Sequence, residues 1–284
     1  MRGDAKALGA AEWASTCGDV WAERWEDTDR GLAGLGPYLL SAIVERAPTG
    51  AFNAFEIGCG PGSTTLAVSA VCPQALITAC DISPSLVEVA KRRAADAPSI
   101  RIVLGDAEAM AASEGPFDLL FSRHGVMFFP DPVRAFRALR EAVNPGASFV
   151  FSCFQSWESN PWASELGSAA AGRTLPTPGQ EPGGFAFADP DYVREVLSSG
   201  GWIEAQSQSV DFRYAAAEGD DPVEAALSFL LDIGPASRIV QSLPNDERNG
   251  AVQRMRQVIE HHFDGRQVAF PAAAWVWRAR APEA

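Results

Sequence analysis

Between Ala51 and Phe154 the chain alternates short, nearly continuous apolar runs with stretches whose apolar residues recur every three or four positions. The runs are AFNAFEI, ALITACD, IRIVL, FDLLFS and SFVFSCF. Continuous rather than alternating hydrophobicity marks strands covered on both faces, so the pattern predicts a parallel sheet with helices on either side. The intervening helices carry start signals. Ser83, Asp131 and Asp189 each stand just before a proline, a capping side chain ahead of a residue pre-set for the first helical turn. Apolar stripes follow, Val87, Ala90 and Ala94 in one and Phe136, Leu139 and Val143 in another. NPG at Asn144 to Gly146 and the pair Gly200 and Gly201 supply stops. Two more strand candidates, Trp202 to Tyr214 and Ala269 to Arg280, bring the count to seven. The proline- and glycine-rich stretch 155–189 and the mostly helical stretch 215–265 are read as insertions that shape a pocket, because the sheet does not need them.

Composition narrows the function classes. With 284 residues and 47% hydrophobic content, the chain can build a sizeable core. Its formal charge of −13 has the wrong sign for phosphate backbones or anionic lipid surfaces, so neither nucleic acid nor membrane is expected as a partner. Five cysteines form no CxxC pair and read as free thiols in a reducing compartment. The stretch MRGDAKALGAAEW has no apolar signal core, and no run approaches the roughly 18 apolar residues of a membrane span. The expectation is a soluble, cytoplasmic protein.

The chemistry centres on FEIGCGPGSTTLAV, Phe55 to Val68. Gly58, Gly60 and Gly62 leave the turn after the first strand without side chains, so a ligand can lie against backbone amides. A dinucleotide fingerprint needs a glycine or alanine where this chain has Ser63. The pattern that fits throughout is acidic-x-G-x-G-x-G, with Glu56 as the acid, a carboxylate suited to a ligand ammonium group. Asp81 ends the second strand, where a carboxylate can accept both hydroxyls of a ribose; the neighbouring Ser83 is better placed to cap the helix that follows. Ile82 can pack flat on a purine. Asp106, after the third strand, can accept from an exocyclic amine while the amide of Ala107 faces a ring nitrogen; Asp106 is equally placed to cap the next helix. Ribose, adenine and an amino acid together describe S-adenosylmethionine.

The segments FEIGCGPGS, CDIS, GDAEAM and FDLLFSRHGVMFFPDPVRAFRALREAVNPGASFVFS, about 100 residues in order, resemble the class I S-adenosylmethionine-dependent methyltransferases of the ubiquinone and menaquinone biosynthesis branch. The resemblance implies a Rossmann-like, seven-stranded, mostly parallel α/β sheet with an antiparallel last strand. It also implies a helical lid over residues 1–50, a methyltransferase domain over 51–284 and a cofactor-binding core over 51–154. Gly58, Cys59, Gly60 and Gly62 would then hold the methionine part, Asp81 and Ile82 the nucleoside, and Asp106 and Ala107 the adenine, with Glu56 and Ser122 completing the set. The function implied is in-line methyl transfer to a small-molecule acceptor. A noncatalytic S-adenosylmethionine-binding protein and a nicotinamide-dependent oxidoreductase are the alternatives, the latter opposed by Ser63 and Glu56.

Methyl transfer from a sulfonium asks a protein mainly for alignment and exclusion of water, and for a base only if the nucleophile must lose a proton. His124 follows the fourth strand, beside the expected methyl position, and an imidazole near its ordinary pKa of about 6.5 could serve as that base. Met127 and Phe128 could wall the methyl site. Trp21 and Trp25, four apart on one helical face, and Trp157 in the loop after the fifth strand are expected to face substrate. His261 and His262 read as surface residues, and no metal site is expected.

Overall fold

The computed structural model describes residues 9–283. Four helices come first: α1 (Ala10–Trp13), α2 (Thr16–Glu23), α3 (Trp25–Leu32) and α4 (Gly36–Arg46). The alternating core follows as β1 (Phe52–Ile57), α5 (Ser63–Val71), β2 (Ala75–Asp81), α6 (Pro84–Arg93), β3 (Ile100–Leu104), α7 (Ala107–Glu114), β4 (Phe117–Arg123), α8 (Pro132–Glu141) and β5 (Val143–Phe154). Then come α9 (Pro161–Ala171), α10 (Pro190–Ser199), β6 (Ile203–Glu218), α11 (Pro222–Asp232), α12 (Pro235–Ser242), α13 (Asn245–His261) and β7 (Gln267–Arg280). The strands form one sheet in the order β3-β2-β1-β4-β5-β7-β6. The first five run parallel, and β7 is inserted antiparallel to both β5 and β6.

The predicted strands and caps form for the reasons the sequence suggests. Ser83 accepts from the Leu86 amide, Asp131 from that of Arg134 and Asp189 from that of Asp191, each satisfying a first-turn N–H that would otherwise lack a partner. Asp221 before Pro222 repeats the arrangement with the Glu224 amide. The β1 pattern of burial leaves only Asn53 exposed, as befits a central strand.

Four expectations are corrected. The NPG segment does not end α8, whose last residue is Glu141; Asn144 to Gly146 lie within the first residues of β5, which starts at Val143, with Gly146 at φ 74. Ala215 to Glu218 and Gln267 to Val268 belong to the sheet, paired through a bulge, so the helical insertion begins after the sixth strand's longer end. The stretch after β5 is not all loop, because Pro161–Ala171 makes a regular helix despite its flanking prolines and glycines. Of the expected lid, α4 instead buries Leu39, Ala42 and Ile43 in the core and packs beside α5 and the sheet. Residues 1–8 lie outside the described residues. Among the described residues no helix is long and apolar enough to cross a membrane.

Candidate active site

A parallel sheet opens a crevice at the carboxyl ends of its strands where the chain order reverses, here between β1 and β4. A cavity of about 520 Å³ lies there, floored by the turn after β1 and roofed by residues of α1, α2 and α3. All three glycines of the turn adopt positive φ: 62° at Gly58, 54° at Gly60 and 84° at Gly62. Their surroundings differ. A Cβ on Gly60 would have no heavy atom within 4 Å, so this position opens on free space. A Cβ on Gly58 would come within 3.2 Å of the Gly125 Cα, and one on Gly62 within 3.3 Å of the Ala90 Cβ. Gly58 therefore lets the turn meet the segment after β4, and Gly62 lets it meet α6.

Asp81 fixes the turn from the neighbouring strand. Its Oδ2 accepts the Gly60 amide at 2.8 Å and its Oδ1 the Ser83 amide at 2.9 Å. Each oxygen retains a second lone-pair site, so the carboxylate can still accept two hydroxyls. Burial raises its pKa, against the lowering effect of the amides of Ser83, Gly60 and Ile82. Asp106 caps α7 through Oδ1, accepting from Glu108 and Ala109, and also lines the cavity; capping and ligand contact coexist. Gly58, Cys59, Gly60, Ile82 and Ala107 line the cavity too.

Three residues expected to touch cofactor lie behind this surface. Glu56 is 1% exposed and does not line the cavity; its carboxyl accepts from the Thr65 hydroxyl inside the turn. Desolvation outweighs that bond and the Arg123 charge, raising its pKa to about 8. An ammonium ligand cannot reach a carboxyl so placed without the turn moving. Ser122, fully buried, donates to the Ile57 carbonyl at 2.7 Å and accepts the Gly125 amide, tying β4 to the end of β1. Gly62 is absent from the lining for the packing reason above.

At the other side of the turn, His124 sits at φ 59, a conformation that histidine tolerates better than most residues. Its backbone N–H donates to the Ser152 carbonyl, its Nδ1 lies 2.9 Å from the Ser152 hydroxyl, and its Nε2 is buried without a partner. Burial, with the neighbouring Arg123 charge, drops its pKa to about 3. The expectation of an imidazole titrating near 6.5 is thereby corrected: the ring is neutral across the physiological range. Met127 and Phe128 line the cavity, as does Trp21. Trp25 does not. Arg24, with φ −100 and ψ 22, interrupts the helix between α2 and α3, and Trp25 turns away to lie under the Arg93 guanidinium, 4.1 Å from its ring centroid. Trp157 is buried behind the cavity wall against Phe185, while Trp162, five residues on, takes the lining position. The sequence offers one sign of this difference, since Trp162 opens a helix whose inward face is fixed by Ala163 and Leu166. Tyr214 reaches the cavity from β6, a contact visible only once the sheet order is known. His262 pairs with Glu165 of α9, and neither lines the cavity.

One feature of the roof has no sequence signature. Asp29 on α3 accepts from Arg93 of α6 at 3.0 Å, from Arg123 of β4 at 2.8 Å, and from the Ser63 hydroxyl. Arg93 also donates to the Pro61 carbonyl at 2.9 Å, so the roof and the glycine turn share one cation. The partners are partly exposed, which discounts the pairing to about 1 to 2 kcal/mol. Asp29→Ala is expected to speed amide hydrogen exchange across residues 10–32 about tenfold or more while the sheet strands keep their protection. Unchanged exchange there would show that other contacts hold the roof.

Residues 55–151 match the family Methyltransf_11, described as a methyltransferase domain. The segment is a methyltransferase domain. Malonyl-[acyl-carrier protein] O-methyltransferase 1 of Ilyobacter polytropus is 32% identical over 103 residues, 36% of this chain and 38% of that protein. Demethylmenaquinone methyltransferase of Staphylococcus aureus is 31% identical over 99 residues, 34% of this chain and 41% of that protein. The match thus spans about two fifths of these relatives' lengths. Solved structures share the fold over more of the chain. The YcgJ protein of Bacillus subtilis superposes with TM-score 0.56 at 18% identity, covering 87% of this chain and 100% of its own. A Haemonchus contortus phosphoethanolamine N-methyltransferase 2, solved with phosphomonomethylethanolamine and S-adenosylhomocysteine, gives 0.54 at 15% identity, covering 94% and 58%. The methyltransferase domain supplies the floor of the cavity, and elements outside it supply the roof and one wall.

Proposed function

We propose that this chain transfers the methyl group of S-adenosylmethionine to a small-molecule acceptor bound in the same cavity. The carrying observation is the pairing of an open, side-chain-free position at Gly60 with the Asp81 carboxylate, 2.8 Å from the Gly60 amide, on the floor of that cavity. A ligand with a ribose diol and an adenine fits this floor: Asp81 accepts the hydroxyls, Ile82 packs on the base, and Asp106 with the Ala107 amide meets its polar edge. Bound S-adenosylmethionine supplies an electrophilic methyl on sulfur. The residues of the chain align the acceptor with it and keep water out, the roof of α1 to α3 serving as lid. A net charge of −13 supports a partner other than nucleic acid, and five free cysteines support a reducing, cytoplasmic location.

Asp81→Ala is expected to weaken S-adenosylhomocysteine binding roughly tenfold or more, because it removes hydrogen bonds from a charged acceptor, worth about 1.5 to 3 kcal/mol. Isothermal calorimetry on the parent and variant checks this, with NAD as the control ligand. Binding of NAD in preference to S-adenosylhomocysteine would replace the reading with a nicotinamide-dependent one.

A further inference from the structure

Among the described lining residues, the sheet contributes one cation to the cavity. Arg123 ends β4, two residues before Gly125, whose Cα a Cβ on Gly58 would meet at 3.2 Å, and its side chain is 14% exposed. The guanidinium thus stands where the segment after β4 abuts the glycine turn. S-adenosylmethionine, a sulfonium, carries one more positive charge than S-adenosylhomocysteine, whose sulfur is neutral. A cation at this end of the cavity, largely withdrawn from water, opposes the sulfonium more than the neutral sulfide. Its field reaches the groups around it, favouring ionisation of Glu56 and disfavouring protonation of His124.

The acid beneath the turn does not offset that charge. Burial pushes Glu56 up to about 8, so it keeps its proton at neutral pH. Asp81 and Asp106 stand at the nucleoside end, one closing β2 and the other capping α7. The counter-charge comes from the roof. Asp29 of α3 does not line the cavity, but its Oδ1 accepts from Arg123 at 2.8 Å and its Oδ2 from Arg93 at 3.0 Å and from the Ser63 hydroxyl. Arg93 donates in turn to the Ser63 hydroxyl and the Pro61 carbonyl, both at 2.9 Å, and lies over the Trp25 ring. Two guanidinium groups at the glycine turn therefore share one carboxylate. Withdrawal of that carboxylate would raise the net charge of the cluster from one to two, and Arg123 would present it to the cavity.

We propose that Asp29 is a positioning residue acting through Arg123: by holding that guanidinium to α3 and offsetting its charge, it raises the affinity of the cavity for S-adenosylmethionine relative to S-adenosylhomocysteine. This inference rests on the function proposed above. It gives the roof a part in telling the methylated cofactor from the demethylated one, in addition to enclosure, and it assigns that part to a residue that touches neither.

The test uses the full chain, titrated calorimetrically with S-adenosylmethionine and with S-adenosylhomocysteine in separate runs, without acceptor, at low and high salt. Asp29→Asn keeps the size and one acceptor oxygen but withdraws the charge. The ratio of the two affinities is expected to move against S-adenosylmethionine by roughly three- to tenfold, and by less at high salt. A residue that only braced the roof would weaken both ligands in proportion and leave the ratio alone. Adding Arg123→Gln to Asp29→Asn restores the net charge of the cluster with the roof contact still broken, and should bring the ratio back to the parent's. Arg123→Gln alone should move the ratio toward S-adenosylmethionine, which decides the matter should Asp29→Asn fail to fold. An unchanged ratio in Asp29→Asn, a double variant that keeps the shifted ratio, or an Arg123→Gln protein whose ratio stays or falls would each overturn the proposal. Those outcomes leave binding by the parent intact, whereas failure of the underlying function appears as a flat trace of the parent with both ligands.

Discussion

Gly60→Val is expected to abolish S-adenosylhomocysteine binding in a protein that still folds. A Cβ there has no protein heavy atom within 4 Å, so the branched side chain projects into the volume a ligand would occupy against the turn. The left-handed φ of 54° adds backbone strain of about 1 to 3 kcal/mol, so the variant should melt at a lower temperature than the parent. A control separates the two effects. Gly62→Ala imposes comparable strain at φ 84° but directs its Cβ to Ala90 and away from the cavity. At a ligand concentration of about 100 times Kd, binding adds about 2.7 kcal/mol to stability, a thermal shift that is easy to read. The shift should vanish in Gly60→Val and persist in Gly62→Ala. A shift kept by both would place the ligand elsewhere, and a shift lost by both would make the turn's conformation, not its open side, the requirement.

The second large effect concerns pH. Glu56, raised to about 8 from an ordinary 4.5, keeps in the folded state a proton that the unfolded chain gives up. Its stabilising contribution is complete below about pH 4.5 and is lost as pH rises through 8. His124 works in the opposite sense: lowered to about 3 from 6.5, it refuses a proton that the unfolded chain accepts. Its contribution is present above about pH 6.5 and is lost as pH falls through 3. Between roughly pH 4.5 and 6.5 the two slopes oppose each other, so stability should form a plateau that declines on either side. Glu56→Gln keeps an acceptor for the Thr65 hydroxyl and removes the alkaline limb due to this carboxyl. At pH 9 it should be more stable than the parent by on the order of 5 kcal/mol, with little difference at pH 4.5. Urea unfolding of both proteins at pH 4.5, 6.5 and 9 measures this. A parent whose stability rises steadily from 6.5 to 9 would mean that Glu56 is ionised in the fold.

The sheet was readable because its strands are covered on both faces and its helices announce themselves by local chemistry, such as Ser83 before Pro84 or Asp131 before Pro132. The antiparallel seventh strand came through the family resemblance alone, since an alternating strand of tryptophans carries no sign of its direction. On the cavity floor, Gly60, Asp81, Ile82, Asp106 and Ala107 were visible because each ends a strand or follows one within three residues. Depth was not visible. Glu56 and Ser122 face the side of their strands packed beneath the turn, and spacing cannot say whether a polar side chain meets a ligand or a neighbouring hydroxyl. Aromatic residues were misjudged for a related reason. Trp21 and Trp25 share a face only on an unbroken helix, and Arg24 breaks it; Trp157 and Trp162 are distinguished by a short turn and a helix start that proline content obscured. The Asp29 cluster joins residues 34, 64 and 94 positions apart, and no local pattern carries such a pairing.

The roof has a consequence for the order in which the pocket can come into being. Arg24 reaches Asp232, 208 positions away, and Arg30 reaches the Ala216 carbonyl, 186 positions away. The helices of the roof are synthesised early, yet the surfaces on which they rest are completed only when β6 and α11 have been made and placed. Contacts this distant in sequence form only after the loop-closure entropy of the intervening chain has been overcome, so this side of the roof is not secured until β6 and α11 are in place. The enclosed cavity is therefore a property of the assembled tertiary structure, its roof tied both to the glycine-turn region through Asp29 and to β6 and α11 through Arg30 and Arg24.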